Sequence, residues 1–116
     1  TGFGLLGHAR EMAVASGVTI EIEAASVPLL PGAMEAVTAE AVPGGLKNNR
    51  DFIACAVDGA EHMDPALVTL LYDPQTAGGL LIALPEADAA ALERTLPAAR
   101  RIGRVVARDN KPIALR

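Results

Sequence analysis

The sequence predicts an α+β domain in which helices pack on one face of a mixed β-sheet. Segments of helical and of strand period are interspersed along 116 residues, a length suited to one domain. Residues 18–24 alternate: Val18, Ile20 and Ile22 share one face and Thr19, Glu21 and Glu23 the other, the pattern of a half-exposed strand. A doubly wound parallel sheet would instead give strands that are apolar throughout. The apolar share is 51% but the aromatic share only 3%, so the core must be built from Leu, Ile, Val, Ala and Met. A chain of this size buries roughly two thirds of its unfolded surface, enough for a core without covalent staples.

Residues 4–17, "GLLGHAREMAVASG", read as a helix, with Leu5, Ala9, Met12 and Ala13 at helical spacing and Gly17 placed to end it. The alternating strand follows. "PLLPGAMEAVTAEA" predicts a second helix with Pro31 at its first position, stopped by Pro43-Gly44-Gly45. "LKNNRD" reads as a polar loop and "FIACAV" as a short strand. Asp64-Pro65 has the form of an N-cap followed by an N1 proline, opening a helix over "ALVTLLY". "DPQTAGG" is a stiff turn, because Pro74 fixes φ and Gly78-Gly79 permit positive φ. "GLLIALP" carries no charge and reads as a buried strand. "PEADAAALERTL" predicts a helix with Ala89, Leu92 and Leu96 on one stripe, and "RRIGRVVAR" and "KPIALR" predict closing strands.

Composition narrows the function classes. The aromatics are Phe3, Phe52 and Tyr72, with no Trp, which argues against an aromatic protein-binding hot spot and against base-stacking platforms. Cys55 is alone, so an intramolecular disulfide or a zinc–cysteine cluster is excluded, and a reducing cytoplasm is expected. Flanked by Ile53, Ala54, Ala56 and Val57, it reads as a small core residue rather than a reactive thiol. No apolar run reaches membrane-spanning length, so no membrane partner is expected. Residues 1–93 hold 13 acids against 3 bases, net −10, whereas residues 94–116 hold 7 bases and only Asp109, net +6. Internal charge matching explains this polarity, as would a basic edge facing a phosphate or an acidic neighbour. With most of the chain acidic, nucleic acid is not an expected partner.

Three polar stretches could carry chemistry. "TGFGLLG" spaces Gly2, Gly4 and Gly7 as G-x-G-x-x-G at the start of a helix, with Glu21 or Glu23 about twenty residues on, as in a dinucleotide fingerprint. No strand precedes it in this sequence, and the strand that follows alternates. Glycines that permit close helix packing, or a glycine turn offering backbone N–H groups to an anion with Thr1 adding a hydroxyl, account for the same spacing. His8 follows as a packed or surface residue of the helix, and His62 as a surface residue. "GGLKNNRD" groups Lys47, Asn48, Asn49 and Arg50, where cations suit phosphate and Asn can hold a loop or a metal-bound water; a solvated turn is the plain alternative. In "DPQTAGG", Asp73, Gln75 and Thr76 project from a defined turn, although Asp73 could simply cap it by accepting a backbone N–H two residues on.

Taken in this order, "TGFGLLGHAREMA", "GGLKNNR" and "DPQTAGGLLIALP", continued by "RIGRVV" and "KPI", resemble the C-terminal domain of the selenide, water dikinase (selenophosphate synthetase) family, across essentially the whole chain. The resemblance implies a fold like the C-terminal domain of aminoimidazole ribonucleotide synthetase, a superfamily that also includes formylglycinamidine synthetase, thiamine-monophosphate kinase and a hydrogenase-maturation protein. It implies that residues 1–116 are the single C-terminal domain of a larger two-domain enzyme, cut from its N-terminal ATP-binding domain, as the opening on Thr1-Gly2 without Met also suggests. The family converts selenide, ATP and water into selenophosphate, AMP and orthophosphate with Mg2+. Its N-terminal domain pairs across a homodimer and supplies most nucleotide and metal contacts, while the C-terminal domain closes one side of the site.

By the same resemblance, D-x-T-G-F-G-L-L-G-H matches from Thr1 to His8, which makes Thr1, Gly2, Phe3 and Gly4 part of a phosphate–metal loop. The family's metal-binding aspartate would precede Thr1, so no metal ligand is expected here. D-P-Q-T-S-G-G matches Asp73 to Gly79 except that Ala77 stands for serine, which casts that hydroxyl as a loop-shaping group. Lys47, Asn48, Asn49, Asp73, Gln75 and Thr76 become candidates for the active-site rim. The catalytic Cys or selenocysteine and its Lys belong to the N-terminal segment, and Cys55 does not match that position. The domain by itself is therefore expected to be inactive. A sibling ATP-dependent kinase or ligase yielding ADP, and a non-catalytic packing or regulatory module, are the alternatives.

Overall fold

A computed structural model describes all of residues 1–116. Its elements run α1 (Gly4–Ser16), β1 (Val18–Ile22), α2 (Ala33–Thr38), α3 (Gly44–Ile53), β2 (Val57–Asp58), α4 (Pro65–Leu71), α5 (Glu86–Thr95), β3 (Gly103–Ala107) and β4 (Ile113–Leu115), with single 3-10 turns at Ala24–Ser26, Ala54–Ala56 and Ala60–His62. The four strands form one mixed sheet in the order β2-β4-β1-β3. β1 runs antiparallel to β3, pairing Ile20 with Val105, and parallel to β4, pairing Ile20 with Ile113 and Ile22 with Leu115. β2 is parallel to β4. This is the expected α+β class with a mixed sheet.

The apolar stripe of α1 explains how the layers join. Leu6, Ala9 and Ala13 are fully buried and share one core with Ile20, Ile22, Val57, Ile113 and Leu115 of the sheet. Leu46 and Ile53 of α3 and Leu71 and Tyr72 at the end of α4 complete it. α1 ends where predicted, because Gly17 takes a left-handed conformation at φ 65° and its N–H bonds the carbonyls of Ala13 and Val14. α4 also begins as predicted: the Asp64 carboxylate accepts the Ala66 N–H at 2.8 Å, with Pro65 at the first helical position.

Several local expectations are corrected. Residues 46–51 are not a loop but lie inside α3, which buries Leu46 and Ile53 and so derives its order from packing rather than from its glycine-rich start. Residues 52–57 are not a strand: they finish α3, pass through a 3-10 turn, and only Val57 joins the sheet. Cys55 is exposed, since it sits on the outer side of that turn. α2 starts after Gly32, leaving Pro31 outside it. α5 stops at Thr95, so Leu96 falls outside the helix and is exposed. Thr19, expected on the open face, is buried, because its hydroxyl donates to the Lys111 carbonyl at 2.7 Å and accepts the Asp109 N–H at 2.9 Å. The largest departure is at 79–84, which joins no ladder and leaves Leu80 90% exposed, with Ile82 and Leu84 also exposed. Of that run Leu81 packs against the core.

The basic C-terminal stretch is largely matched internally. Arg104 and Arg116 flank Glu21 on the sheet, and Arg101 bridges Glu86 and Glu93 of α5. The Lys111 ammonium donates to the Val57 carbonyl at 2.7 Å, tying it to β2. No helix is long and apolar enough to cross a membrane.

Candidate functional site

Two of the three polar stretches meet directly, and the third ties them together. Gly4, at φ +70°, approaches the turn after α4 so closely that a Cβ there would overlap the Asp73 carbonyl oxygen. Only glycine tolerates both that φ and that distance. From α3, the Asn49 carboxamide reaches between the two loops. Its Nδ2 donates to the Gly2 carbonyl at 2.9 Å and to the Tyr72 carbonyl at 3.1 Å. Both amide protons of a half-buried Asn are thereby used. Nearby, the Gly45 backbone of α3 lies against the Pro74 ring, where an added Cβ would stand 3.4 Å from Pro74 Cγ. The N-terminal glycine loop, α3 and the 72–78 turn thus form one continuous rim.

The remaining glycine of the first motif has a packing role. A Cβ on Gly7 would stand 3.1 Å from Phe3 Cβ and 3.3 Å from Ile53 Cδ1, so it permits α1 to lie close to α3. Against Gly4 lies a protein carbonyl, with no opening for a pyrophosphate. The dinucleotide interpretation therefore gives way to the packing one. Thr1 is engaged as well: its hydroxyl oxygen accepts the Phe3 N–H at 3.2 Å and lies 2.6 Å from His8 Nε2. His8 serves the loop as its fastening point, a role that sequence spacing did not signal.

Phe3 is 40% exposed and leans on Phe52, ring centroids 6.2 Å apart, over which the Arg10 guanidinium sits at 5.0 Å. Behind the rim, Arg50 donates to the Thr69 hydroxyl at 2.6 Å and covers the Tyr72 ring at 5.7 Å. Burial pushes the Tyr72 phenol above its ordinary value, and Arg50 pulls in the opposite direction. Lys47 and Asn48 are exposed on α3. Residues two apart on a helix diverge by about 200°, so Lys47 does not share the side of Asn49. Lys47 instead lines, with Arg50, Thr69, Glu40 and Pro43, an open depression of about 560 Å³ between α2, α3 and α4.

In the 72–78 turn, the Asp73 backbone carbonyl, not its carboxylate, accepts the Gln75 N–H at 2.8 Å. The proposed side-chain cap by Asp73 is thus replaced by a backbone turn. Gln75 Oε1 accepts the Ala77 N–H at 3.2 Å, so Gln75 shapes the turn. Thr76 is exposed. Position 77 contributes its backbone N–H, which alanine supplies as well as serine would.

Of the expected rim residues, then, Asn49, Asp73 and Gln75 are joined to the glycine loop through the turn, whereas Lys47 and Asn48 face elsewhere. Magnesium takes carboxylate and water oxygens, yet nowhere do three His, Cys, Asp or Glu side chains converge to hold an ion. The donor set of this chain does not fit a magnesium site of its own.

Comparison with known proteins identifies the family. The family described as AIR synthase related protein, C-terminal domain, matches residues 1–115. Among curated proteins, the chain is 40% identical to a selenide, water dikinase of Clostridium botulinum (strain Eklund 17B / Type B), covering 100% of this chain and 35% of that protein. It is 41% identical to selenide, water dikinase 2 of Peptoclostridium acidaminophilum, covering 97% of the chain and 34% of that protein. It is 47% identical over 96 residues to a selenide, water dikinase of Caldanaerobacter subterraneus subsp. tengcongensis, covering 83% of the chain and 28% of that protein. The chain spans about a third of the length of these relatives.

Proposed function

Because the chain belongs to the AIR synthase related family through its C-terminal domain, we propose that it is the C-terminal domain of an ATP-dependent selenophosphate synthetase and forms one wall of that enzyme's active site. The reaction is selenide, ATP and water to selenophosphate, AMP and orthophosphate. One observation carries the wall role: Asn49 and the Gly4–Asp73 approach join the loop at 1–4 to the turn at 72–78. A rim built on α1, α3 and α4 is rigid, as a preorganised site requires. In this reading exposed Thr76 is the group that the rim offers to substrate, with half-buried Asp73 beside it in the turn, whereas Lys47 faces the depression between α2, α3 and α4. Phosphoryl transfer depends on positioning and on stabilising charge at the transferring group.

ATP, Mg2+ and the nucleophile are contributed outside these residues, by an N-terminal domain of the same protein working as a homodimer. Residues 1–116 alone turn over no ATP in this reading, and the enzyme works in the reducing cytoplasm, where an exposed Cys55 stays a thiol. Phosphorus NMR on the full-length protein with ATP, magnesium and selenide under reducing conditions is the test. A selenophosphate resonance accompanied by AMP and phosphate is expected. ADP as the only nucleotide product would assign the chain to a sibling kinase or ligase. Unaltered turnover after deleting the domain would make it a packing or regulatory module.

A further inference from the structure

We propose that Asn49 is a positioning residue of this site, whose carboxamide holds the glycine loop and the 72–78 turn at a fixed separation without touching substrate. The inference rests on the active-site reading above. An Asn on this helix could instead donate to a phosphate, and the geometry separates the two roles. A primary amide has two N–H donors, and here one points to the Gly2 carbonyl and the other to the Tyr72 carbonyl. No donor is left for a ligand. Both acceptors are backbone carbonyls of the segments that carry Thr1, Phe3 and Asp73, so the bonds act on loop position directly.

The carbonyls gain from this arrangement too. Half-buried carbonyls without a donor are costly, and Asn49 satisfies two of them with one side chain. The Gly4 approach lies in the same seam, two residues along one loop and one along the other, and leaves no slack for another side chain to enter. Asn48, the neighbouring amide, is exposed and differs in environment although the sequence presents the two alike.

Asn49→Asp is the sharpest test, because it keeps the shape but sets a carboxylate against two carbonyls. Asn49→Ala removes the donors without adding charge, in case the charged variant does not fold. Asn49→Gln keeps both donors on a longer stem. All three are made in the full-length protein. Hydrogen–deuterium exchange in peptides covering 1–8 and 70–79 reads the clamp, and steady-state kinetics read positioning. Loss of the clamp should speed exchange in both peptides together by about 10-fold or more. It should lower kcat by about 10- to 100-fold, the usual effect of loosening a supporting shell, and change KM for ATP by less than about threefold. Gln should recover part of both.

Thr19→Val, which perturbs the sheet outside the rim, should lower thermal stability while keeping kcat, so that lost stability and lost positioning are told apart. Unchanged exchange in the Asp and Ala variants overturns the clamp. Faster exchange with unchanged kcat overturns the positioning role, and a change confined to KM assigns Asn49 to direct ligand contact instead. A wild-type protein that makes no selenium-dependent product refutes the active-site reading, and the exchange measurement then decides the clamp by itself.

Discussion

Gly4→Ala and Gly2→Ala, compared as a pair, measure how firmly the two loops are locked. Both glycines have positive φ, +70° at Gly4 and +87° at Gly2. An L-residue in the left-handed region costs roughly 1–2 kcal/mol. An alanine also narrows the unfolded ensemble, returning about 0.4–1 kcal/mol. These two effects apply at both positions and cancel in the difference. What differs is space: a Cβ on Gly2 meets nothing within 4 Å, while one on Gly4 overlaps the Asp73 carbonyl. Forcing atoms into a filled site costs about 1–3 kcal/mol, so Gly4→Ala should be less stable than Gly2→Ala by that amount. Urea unfolding followed by far-UV circular dichroism gives both values if the m-value is constant. A difference under about 0.5 kcal/mol, the usual range for inconsequential surface changes, would refute the locked seam, since the turn would then be yielding freely.

Three further outcomes follow from the packing. Thr19→Val should cost about 1–3 kcal/mol, because two hydrogen bonds to the 109–111 turn are lost; Thr19→Ser should recover most of it, and equal losses for the two would contradict the hydroxyl's role. The Glu21 carboxyl is held below its ordinary value, chiefly by its hydrogen bond to Arg104 and further by the charges of Arg104 and Arg116, against the opposing effect of desolvation. Its folded value being depressed, the stabilisation is present above the ordinary glutamate range and lost as pH falls through the folded value. The difference in urea midpoint between wild type and Glu21→Gln should therefore shrink on acidification, and a difference that grows would reverse the assignment. Tyr72 is the sole tyrosine and there is no Trp, so phenolate absorbance reports it alone. Its folded value is raised by burial, so the titration midpoint should lie above about 10, with stability lost as pH rises through it; a midpoint at or below the ordinary value would mean that the ring is not enclosed.

Elements with a local cause were legible from the sequence. Gly17 ends α1 and Asp64-Pro65 opens α4 because cap geometry depends on a few adjacent residues. The alternation of β1 announced a strand, but not that Thr19 would be buried, which needs the turn at 109–111 some ninety residues away. α3 was hidden for the opposite reason. Gly44, Gly45, Asn48 and Asn49 all disfavour a helix locally, and the contacts that offset this, through Leu46, Ile53 and the Asn49 clamp, are tertiary. The run at 79–84 shows the same limit from the other side. Its apolar, uncharged residues describe a segment able to be a strand, but a strand exists only with a ladder partner, and the sheet is made from other segments.

The candidate site was legible as three motifs and illegible as one object. A glycine in a sequence reports that a Cβ is excluded or that φ is positive, but not what excludes it. G-x-G-x-x-G therefore left a bound anion and a packed helix open, with a dinucleotide disfavoured because no strand precedes it and the next strand alternates. The structure supplies the partner for two of the three glycines, Asp73 against Gly4 and Phe3 with Ile53 against Gly7, while Gly2 is explained by its positive φ alone. The same holds for the paired amides, where the sequence offers Asn48 and Asn49 as equivalents and the helix turns only one of them into the seam. A motif whose residues contact each other before they contact any ligand constrains loop position first. The side chain it leaves exposed in the turn is then Thr76, with Asp73 half-buried beside it.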